Sequence, residues 1–162
     1  MRLLARRDAW HLQAAQGWLE LGNPTEANLE LDQIDELFRM HPDVLQLRWH
    51  AHARQGKWDV CVDLGRAMTR LTPDVVQGWI NLANALFYLK HYQEAFDTLF
   101  PTLLDFPKNP YIPYNLACYK CQLGDLVEAR DWLDKAIGMG GERIRETALL
   151  DSDLEGIWGQ IA

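Results

Sequence analysis

Two cysteines in a C-x-x-C spacing, Cys118 and Cys121, raise the question of redox or metal chemistry. A redox pair of this kind lies where a strand meets a helix N-terminus, because the helix dipole lowers the thiol pKa there. A structural zinc ion would need two further ligands, and no second cysteine or histidine pair follows at metal spacing. The flanking sequence indicates a helix interior, so we expect both to be ordinary helix residues.

Other residues that could do chemistry also lack the partner residues that a catalytic site needs. His50 and His52 are two apart on a predicted helix and therefore point to different faces. Ser152 is the only serine, and its sequence DSDLE is typical of a helix N-cap. The glycines at 138–141 end a helix and lack the strand and Lys-Ser/Thr of a phosphate loop. We predict no enzymatic activity, no catalytic residue, no metal and no cofactor.

Composition restricts the class of protein and its partners. The 162 residues are 48% hydrophobic and 24% charged, as in a soluble globular domain. A formal net charge of -7 argues against a nucleic-acid partner, which needs a basic surface. No apolar stretch is long enough for a signal peptide or a membrane span. These features, with three cysteines in no disulfide framework, predict a cytoplasmic protein without membrane insertion.

The chain repeats itself with a period of 34 residues. When residues 77–107 are aligned with 111–141, identical residues coincide at several positions: Asn81 on Asn115, Leu82 on Leu116, Ala83 on Ala117, Ala95 on Ala129. The same offset aligns Cys61 with Ala95, and Ala27 with Cys61. Small residues at Ala27, Ala95 and Ala129 should let the two helices of a hairpin approach closely, so we expect these positions to be buried. Each copy has two apolar stretches of helical period around a short break: Gly22-Asn23-Pro24, Gly56-Lys57, Lys90-His91 and Gly124-Asp125. Each copy is therefore predicted to be a helix hairpin.

This pattern resembles the tetratricopeptide repeat (TPR) family. The residues that carry the resemblance are Trp79, Leu82, Ala83, Leu86, Ala95, Leu99 and Pro107, then Leu116, Ala117, Ala129, Leu133 and Ala136. The resemblance implies an all-α fold, a right-handed α-solenoid of about four hairpins plus a C-terminal capping helix. We expect one domain over 1–162, with repeats at about 8–41, 42–75, 76–109 and 110–141 and capping helices at 142–162.

Departures from the family pattern concentrate in the second and fourth repeats. Arg48 and Trp49 stand where the family prefers leucine and a small residue, and Gly65 stands where it prefers a large apolar one. Because of these three departures, the family pattern does not predict how the helices of the second repeat pack. Pro113 replaces the usual tryptophan of the fourth repeat, which the first turn of a helix tolerates.

The C-terminal residues should cover the last repeat. We expect Ile144, Leu149 and Leu150 to lie on its apolar face. A second amphipathic segment follows, with apolar residues at i, i+3, i+4 and i+7: Leu154, Ile157, Trp158 and Ile161. It either continues the cap or contacts a partner or a second copy.

The resemblance also implies a concave face lined by the first helix of each repeat. The residues expected to face a peptide in this groove are Gln46, His50, Arg54, Gln77, Ile80, Asn81, Asn84, Phe87, Tyr88, Tyr111, Tyr114, Asn115, Cys118 and Gln122. Leu12, Gln16, Glu20 and Cys121 are expected on the same face. The i, i+4, i+8 spacing of Gln46, His50 and Arg54, and likewise of Tyr114, Cys118 and Gln122, places each set on one stripe of a helix. Amide side chains can donate to and accept from a peptide backbone, and aromatic rings add contact area.

A carboxylate clamp of the type found in related cochaperones is a narrower possibility. Asn84 and Asn115 match its two asparagines, but Ile80 replaces its lysine, and Arg143 and Arg145 are only loose counterparts of its other cations. Without cations, bound carboxylates would lose hydration without compensation.

Three functional hypotheses follow. The first is a non-catalytic protein–protein interaction scaffold or adaptor that binds a peptide segment of a partner. The second is a structural subunit or homodimer that assembles through terminal apolar residues such as Trp10, Trp158 and Ile161, with the groove unused. The third, an enzyme or metal protein, could rest only on Cys118, Cys121 and His50.

Overall fold

The computed structural model describes residues 5–160, without the side chain of Gln160. Within this range the chain is helical and contains no strand, as predicted. The α-helices are α1 (Arg6–Glu20), α2 (Pro24–Asp32), α3 (Pro42–Arg54), α4 (Trp58–Leu71), α5 (Val76–Tyr88), α6 (Tyr92–Leu99), α7 (Tyr111–Gln122), α8 (Leu126–Gly140) and α9 (Glu142–Leu150). Short 3-10 helices cover Glu36–Phe38, Phe100–Leu103 and Ser152–Gln160. Ile161 lies outside the described residues.

The chain divides between Ala85 and Leu86 into two compact units. The first unit holds α1 to α4 and most of α5, and the second holds the end of α5 and α6 to α9. The single-domain organisation stays a prediction.

Local sequence signals explain where the helices begin and end. Asn23 caps α2 by accepting a hydrogen bond from the Glu26 backbone at 3.2 Å, and Asp125 caps α8 in the same way. In three of the predicted breaks a glycine takes a positive φ, at Gly22, Gly56 and Gly124. Lys90 takes the same conformation, with φ of 64°, in the equivalent break after α5.

The first unit packs its hairpins through small and branched residues. α1 packs against α2, α3 packs against α4, and α3 also contacts both α1 and α2. The fully buried residues at these contacts are Ala15, Ala27, Leu31, Val44 and Ala51. Ala27 and Cys61 are both completely buried, as expected from their equivalent places in the repeat.

The departures in the second repeat have physical explanations. Trp49 is buried with its ring centroid 6.4 Å from that of Trp58, so a large ring fills this part of the hairpin. Arg48 bonds Asp32 at 2.8 Å and the Leu31 carbonyl at 2.9 Å. A Cβ on Gly65 would lie only 2.8 Å from Cα of Leu82. Glycine at this position therefore lets α4 approach the backbone of α5.

In the second unit α7 and α8 form a closely packed hairpin with Leu116, Ala117, Ala129, Leu133 and Ala136 buried in it. The cap on this hairpin differs from the prediction. Ile144 is buried as expected, but Leu149 and Leu150 are exposed. Ile144 and Ala148 are one helical turn apart and form the covering face of α9, and residues 149 and 150 lie on its other side.

The remaining cover comes from the segment after α9. The 3-10 helix Ser152–Gln160 contacts α7, α8 and α9, and Leu154 and Ile157 are buried in these contacts. The indole nitrogen of Trp158 donates to the carbonyls of Ala148 and Asp151, at 3.0 and 3.1 Å. We call residues 151–160 the C-terminal segment.

Candidate binding surface

A continuous row of polar side chains joins α3 and α5 in the first unit. Nε2 of Gln77 donates to Oδ1 of Asn81 at 2.8 Å. Nδ2 of Asn81 then donates to Oε1 of Gln46 at 3.0 Å. Nε2 of Gln46 lies 2.8 Å from Nε2 of His50. We call these four residues the amide ladder, and it connects two first helices of successive repeats.

The ladder determines the protonation of His50. Because an amide nitrogen can only donate, Nε2 of His50 must accept, and the ring proton lies on Nδ1. Burial lowers the pKa of His50, and the nearby Arg54 guanidinium lowers it further. The imidazole is therefore neutral at neutral pH, and the hydrogen bonds of the ladder all run in one direction.

The predicted residues of the first unit differ in their accessibility. Asn81 is only 2% exposed and Ile80 is also buried, so both act within the chain. Gln77 is exposed, Gln46 and His50 are half-buried, and Asn84 is half-buried. The other residues expected on this face have internal contacts: Arg54 donates to the Leu19 carbonyl, Gln16 donates to Glu20, and Leu12 packs against the core.

In the second unit the corresponding stripe of α7 is occupied by the chain itself. The hydroxyl of Tyr114 donates to Oδ2 of Asp151 at 2.6 Å. The thiol of Cys118 lies 4.0 Å from the same oxygen, and Nε2 of Gln122 donates to the Asp153 carbonyl at 3.0 Å. We call Tyr114, Cys118 and Gln122 the donor row, since each member offers a hydrogen to the C-terminal segment.

The occupied stripe is largely closed to solvent. Tyr114 is 7% exposed and Cys118 is 5% exposed. Asn115 and Cys121 are half-buried beside them. Tyr111 remains exposed at the start of α7, and its hydroxyl accepts from Arg143 at 2.5 Å. Gln122, the last member of the donor row, is exposed, so only access to Tyr114 and Cys118 requires the C-terminal segment to move.

The end of α5 contributes two aromatic rings to this unit. Phe87 is buried, with its ring centroid 5.3 Å from those of both Tyr92 and Tyr119. Tyr88 is exposed. Burial raises the pKa of Tyr88, and the charges of Asp153 and Asp151 raise it further. Of this predicted pair, only Tyr88 can present its ring to a partner.

The electrostatics of the cysteine pair disfavour nucleophilic or redox chemistry. Burial raises the pKa of the Cys118 thiol well above its ordinary value, and the Asp151 charge adds to the effect. Burial also raises the pKa of the Cys121 thiol. Both residues lie inside α7, and residues 5–160 contain no group of three or more metal-binding side chains. The thiols are therefore protonated at neutral pH.

The residues compared with a carboxylate clamp have other contacts. Arg143 is engaged with Tyr111, and Nε of Arg145 lies 3.7 Å from a Glu142 oxygen. Ile80, which stands in place of the clamp lysine, is buried.

Sequence reasoning missed the role of Asp151 and Asp153. It treated the DSD sequence only as a helix cap, and Asp151 does cap locally by accepting from the Asp153 backbone at 3.0 Å. The contact with Tyr114 spans 37 residues of sequence. No local pattern in the DSD sequence specifies a contact at that separation.

Comparisons with known proteins identify the fold. No protein-family model matches the chain, and no curated protein sequence is similar to it. MamA (41-end) from Desulfovibrio magneticus RS-1 superposes with a TM-score of 0.75 at 16% identity, over 98% of this chain and 93% of that one. A thermophilic TPR protein of Thermus thermophilus superposes with a TM-score of 0.76 at 16% identity, over 94% of this chain and 82% of that one.

A third similar structure belongs to a complex. A chain of the APC/C hetero-tetramer Cut9–Hcn1 superposes with a TM-score of 0.74 at 17% identity, over 93% of this chain and 29% of that one. At these identities the similarity shows the fold alone. The chain has the TPR α-solenoid fold, as its repeats predicted. No helix among the described residues is long and apolar enough to cross a membrane.

Proposed function

We propose that this protein is a non-catalytic interaction scaffold that binds a peptide segment of a partner protein through the amide ladder of α3 and α5. The observation that carries the proposal is the ladder itself, in which four polar side chains are fixed by one hydrogen bond within α3, one within α5 and one between them. Its outer members, Gln77 and His50, are at least partly accessible.

The chemistry of the ladder suits a peptide backbone. A primary amide has two N–H donors and a carbonyl acceptor, so a glutamine that gives one hydrogen inside the ladder can still pair with both groups of a peptide bond. The internal hydrogen bonds hold the side chains in place before the partner arrives. Less conformational entropy is then lost on binding, which favours affinity.

The proposal includes a cytoplasmic location, as the sequence predicted, and a protein as the partner. The raised pKa of both α7 thiols disfavours the cysteine chemistry that an enzyme hypothesis would need. The net charge of -7 disfavours nucleic acid. A similar fold occurs in the Cut9–Hcn1 hetero-tetramer, where it is part of a protein assembly.

Assembly through terminal helices is the second candidate, because Trp10 on α1 is 60% exposed. A large exposed ring at the end of an array is a feature of protein contacts. Light scattering after size exclusion tests it: a dimer in the wild type that Trp10→Ala converts to a monomer supports this candidate.

Affinity capture from the native lysate, with bound proteins identified by mass spectrometry, tests the scaffold proposal. The ladder variant is Gln77→Ala/His50→Ala. Its control, Gln93→Ala/His91→Ala, removes the same two residue types from the exposed start of α6. We expect the wild type and the control to retain a partner that the ladder variant loses. A partner retained equally by all three would overturn the proposal.

A further inference from the structure

The geometry of the second unit points to the C-terminal segment as a built-in ligand: residues 151–160 occupy a site on α7 that also takes an acidic peptide of a partner protein. This inference rests on the proposed function, since it names a second peptide site and the kind of peptide it accepts. The segment defines that peptide as Asp-x-Asp followed by apolar residues three and six positions after the first aspartate.

The polar half of the site consists of donors. The Tyr114 hydroxyl and the Cys118 thiol meet the Asp151 carboxylate, and the Gln122 amide meets the Asp153 carbonyl. Burial keeps the pKa of Tyr114 and of Cys118 raised, so neither loses the proton that it offers. These three donors favour a ligand that supplies acceptors at the same places, and a carboxylate is the strongest acceptor among side chains.

The apolar half of the site explains the rest of the peptide. Leu154 and Ile157 are buried against the second unit. Gly156 lies so close that an added Cβ would be 3.1 Å from both Sγ of Cys121 and Cδ2 of Leu126. The residue directly before the second anchor therefore has little room for a side chain. Gly159, three residues later, has open space around its Cβ position.

The contacts of Asp151 and Asp153 also allow a peptide of a partner to replace the C-terminal segment. The Asp151 carboxylate meets a hydroxyl, a thiol and the Asp153 backbone amide, and none of these three groups carries a positive charge. Burial and the Asp151 charge raise the pKa of Asp153, which shows that negative charge is disfavoured there. Asp151 and Asp153 are thus held without a neutralising charge. An equivalent segment from a partner can make the same contacts.

A labelled synthetic peptide, LDSDLEGIWGQ, provides the probe because it reproduces residues 150–160. Its binding to the full chain is measured by fluorescence anisotropy. Gly156→Leu should displace the built-in segment, because its side chain would press against Cys121 and Leu126 while the donor row stays intact. Gly159→Leu is the matched control, because it makes the same substitution where there is room. Asp151→Ala is a second displacing variant that leaves the apolar anchors in place.

We expect Gly156→Leu and Asp151→Ala to bind the probe at least about tenfold more tightly than the wild type and Gly159→Leu, because an intramolecular ligand competes at millimolar effective concentration. Adding Tyr114→Phe to Asp151→Ala should weaken the gain, as should asparagine in place of the first aspartate of the probe. If Gly156→Leu lacks a cooperative melting transition, Asp151→Ala alone decides.

Two results overturn the inference. In the first, the displacing variants fold but bind the probe no more tightly than the wild type, so that the segment is only a cap. In the second, light scattering shows that they form dimers by exchange of the segment, so that the occupant is a second copy. The lysate capture is independent of the probe. If the ladder variant loses a partner, the proposed function is supported even when the probe does not bind. If the probe binds the displacing variants more tightly, the α7 site is supported even when no partner is captured.

Discussion

The inner stripes of α3 and α7 occupy equivalent places in their repeats and have opposite surroundings. On α3, Gln46 and His50 bond to each other and to Asn81 and remain partly accessible. On α7, Tyr114 and Cys118 are almost fully covered by the chain's own C-terminal segment. The same repeat position is thus an open surface in one unit and an occupied one in the other.

This difference teaches that repeat position alone does not define a binding surface. The i, i+4 spacing places side chains on one stripe of a helix in both cases. What decides accessibility is whether another part of the chain returns to that stripe. On α7 the returning part is residues 151–160, and on α3 the neighbouring polar residues come from α5, which leaves the outer side open.

Among the variants that test this comparison, Leu154→Ala should cause the largest loss of unfolding free energy. Leu154 is fully buried where the C-terminal segment covers the second unit, so its truncation should cost about 2–5 kcal/mol of unfolding free energy. Leu150→Ala is the matched control, since Leu150 is 86% exposed and should change little. Urea denaturation measures both. Equal small effects would show that the segment does not stabilise the unit.

Ala129→Leu should be next in size. Ala129 is completely buried between α7 and α8, and a larger side chain there should overpack the hairpin and cost about 1–3 kcal/mol. Val127→Leu enlarges an exposed residue of the same helix and should leave the melting temperature unchanged. Ala95→Leu tests the equivalent position of the preceding repeat, which is also completely buried. An unchanged melting temperature in Ala129→Leu would contradict the register of the repeat.

The amide ladder should show a smaller, coupled effect. Asn81→Ala removes two hydrogen bonds and should cost about 1 kcal/mol, because Gln46 and Gln77 can still reach water. Gln46→Ala and the double variant complete a double-mutant cycle. We expect a non-zero coupling energy between the two positions, since one hydrogen bond joins them. Strict additivity would mean that the ladder does not act as a unit.

The smallest effect should be a dependence of stability on pH. Because the folded-state pKa of His50 is lowered, the unfolded chain binds more protons at acidic pH, and stability is lost as the pH falls below the ordinary histidine value of about 6.5. Unfolding free energy measured from pH 7.5 to 5.5 should therefore decrease. His50→Asn should reduce the slope without abolishing it, because the pKa of His52 is also lowered. An unchanged slope would show that His50 is not linked to folding.

Much of the fold could be predicted because its determinants are local and periodic. The 34-residue offset correctly placed Ala27, Cys61, Ala95 and Ala129 in buried positions, since small residues at a fixed interval reflect helix contacts that repeat along the chain. The helix breaks followed from Gly22, Gly56 and Gly124 for the same reason.

The candidate site could be predicted only in part. Helical spacing identified Gln46 and His50 as one stripe, and Tyr114 and Cys118 as another. It could not show that Asn81 is buried beneath Gln77 and Gln46, nor that Asp151 returns to Tyr114. Both facts depend on tertiary contacts, in which one face of a helix meets residues distant in sequence. Leu149 and Leu150 were assigned to the cap for their hydrophobicity, but the direction of α9 turns them to solvent.

Site-specific photo-crosslinking tests the difference between the two stripes most directly. A photoreactive residue replaces either Asp43, an exposed residue that lines the same cavity as Gln46 and Gln77, or Gln122 on the donor row. The ladder stays intact in the first variant, and the captured partner is irradiated with each variant. We expect crosslinks to the partner from position 43, and intramolecular crosslinks to residues 151–160 from position 122, where Gln122 contacts Asp153. Partner crosslinks from position 122 with none from position 43 would contradict the account.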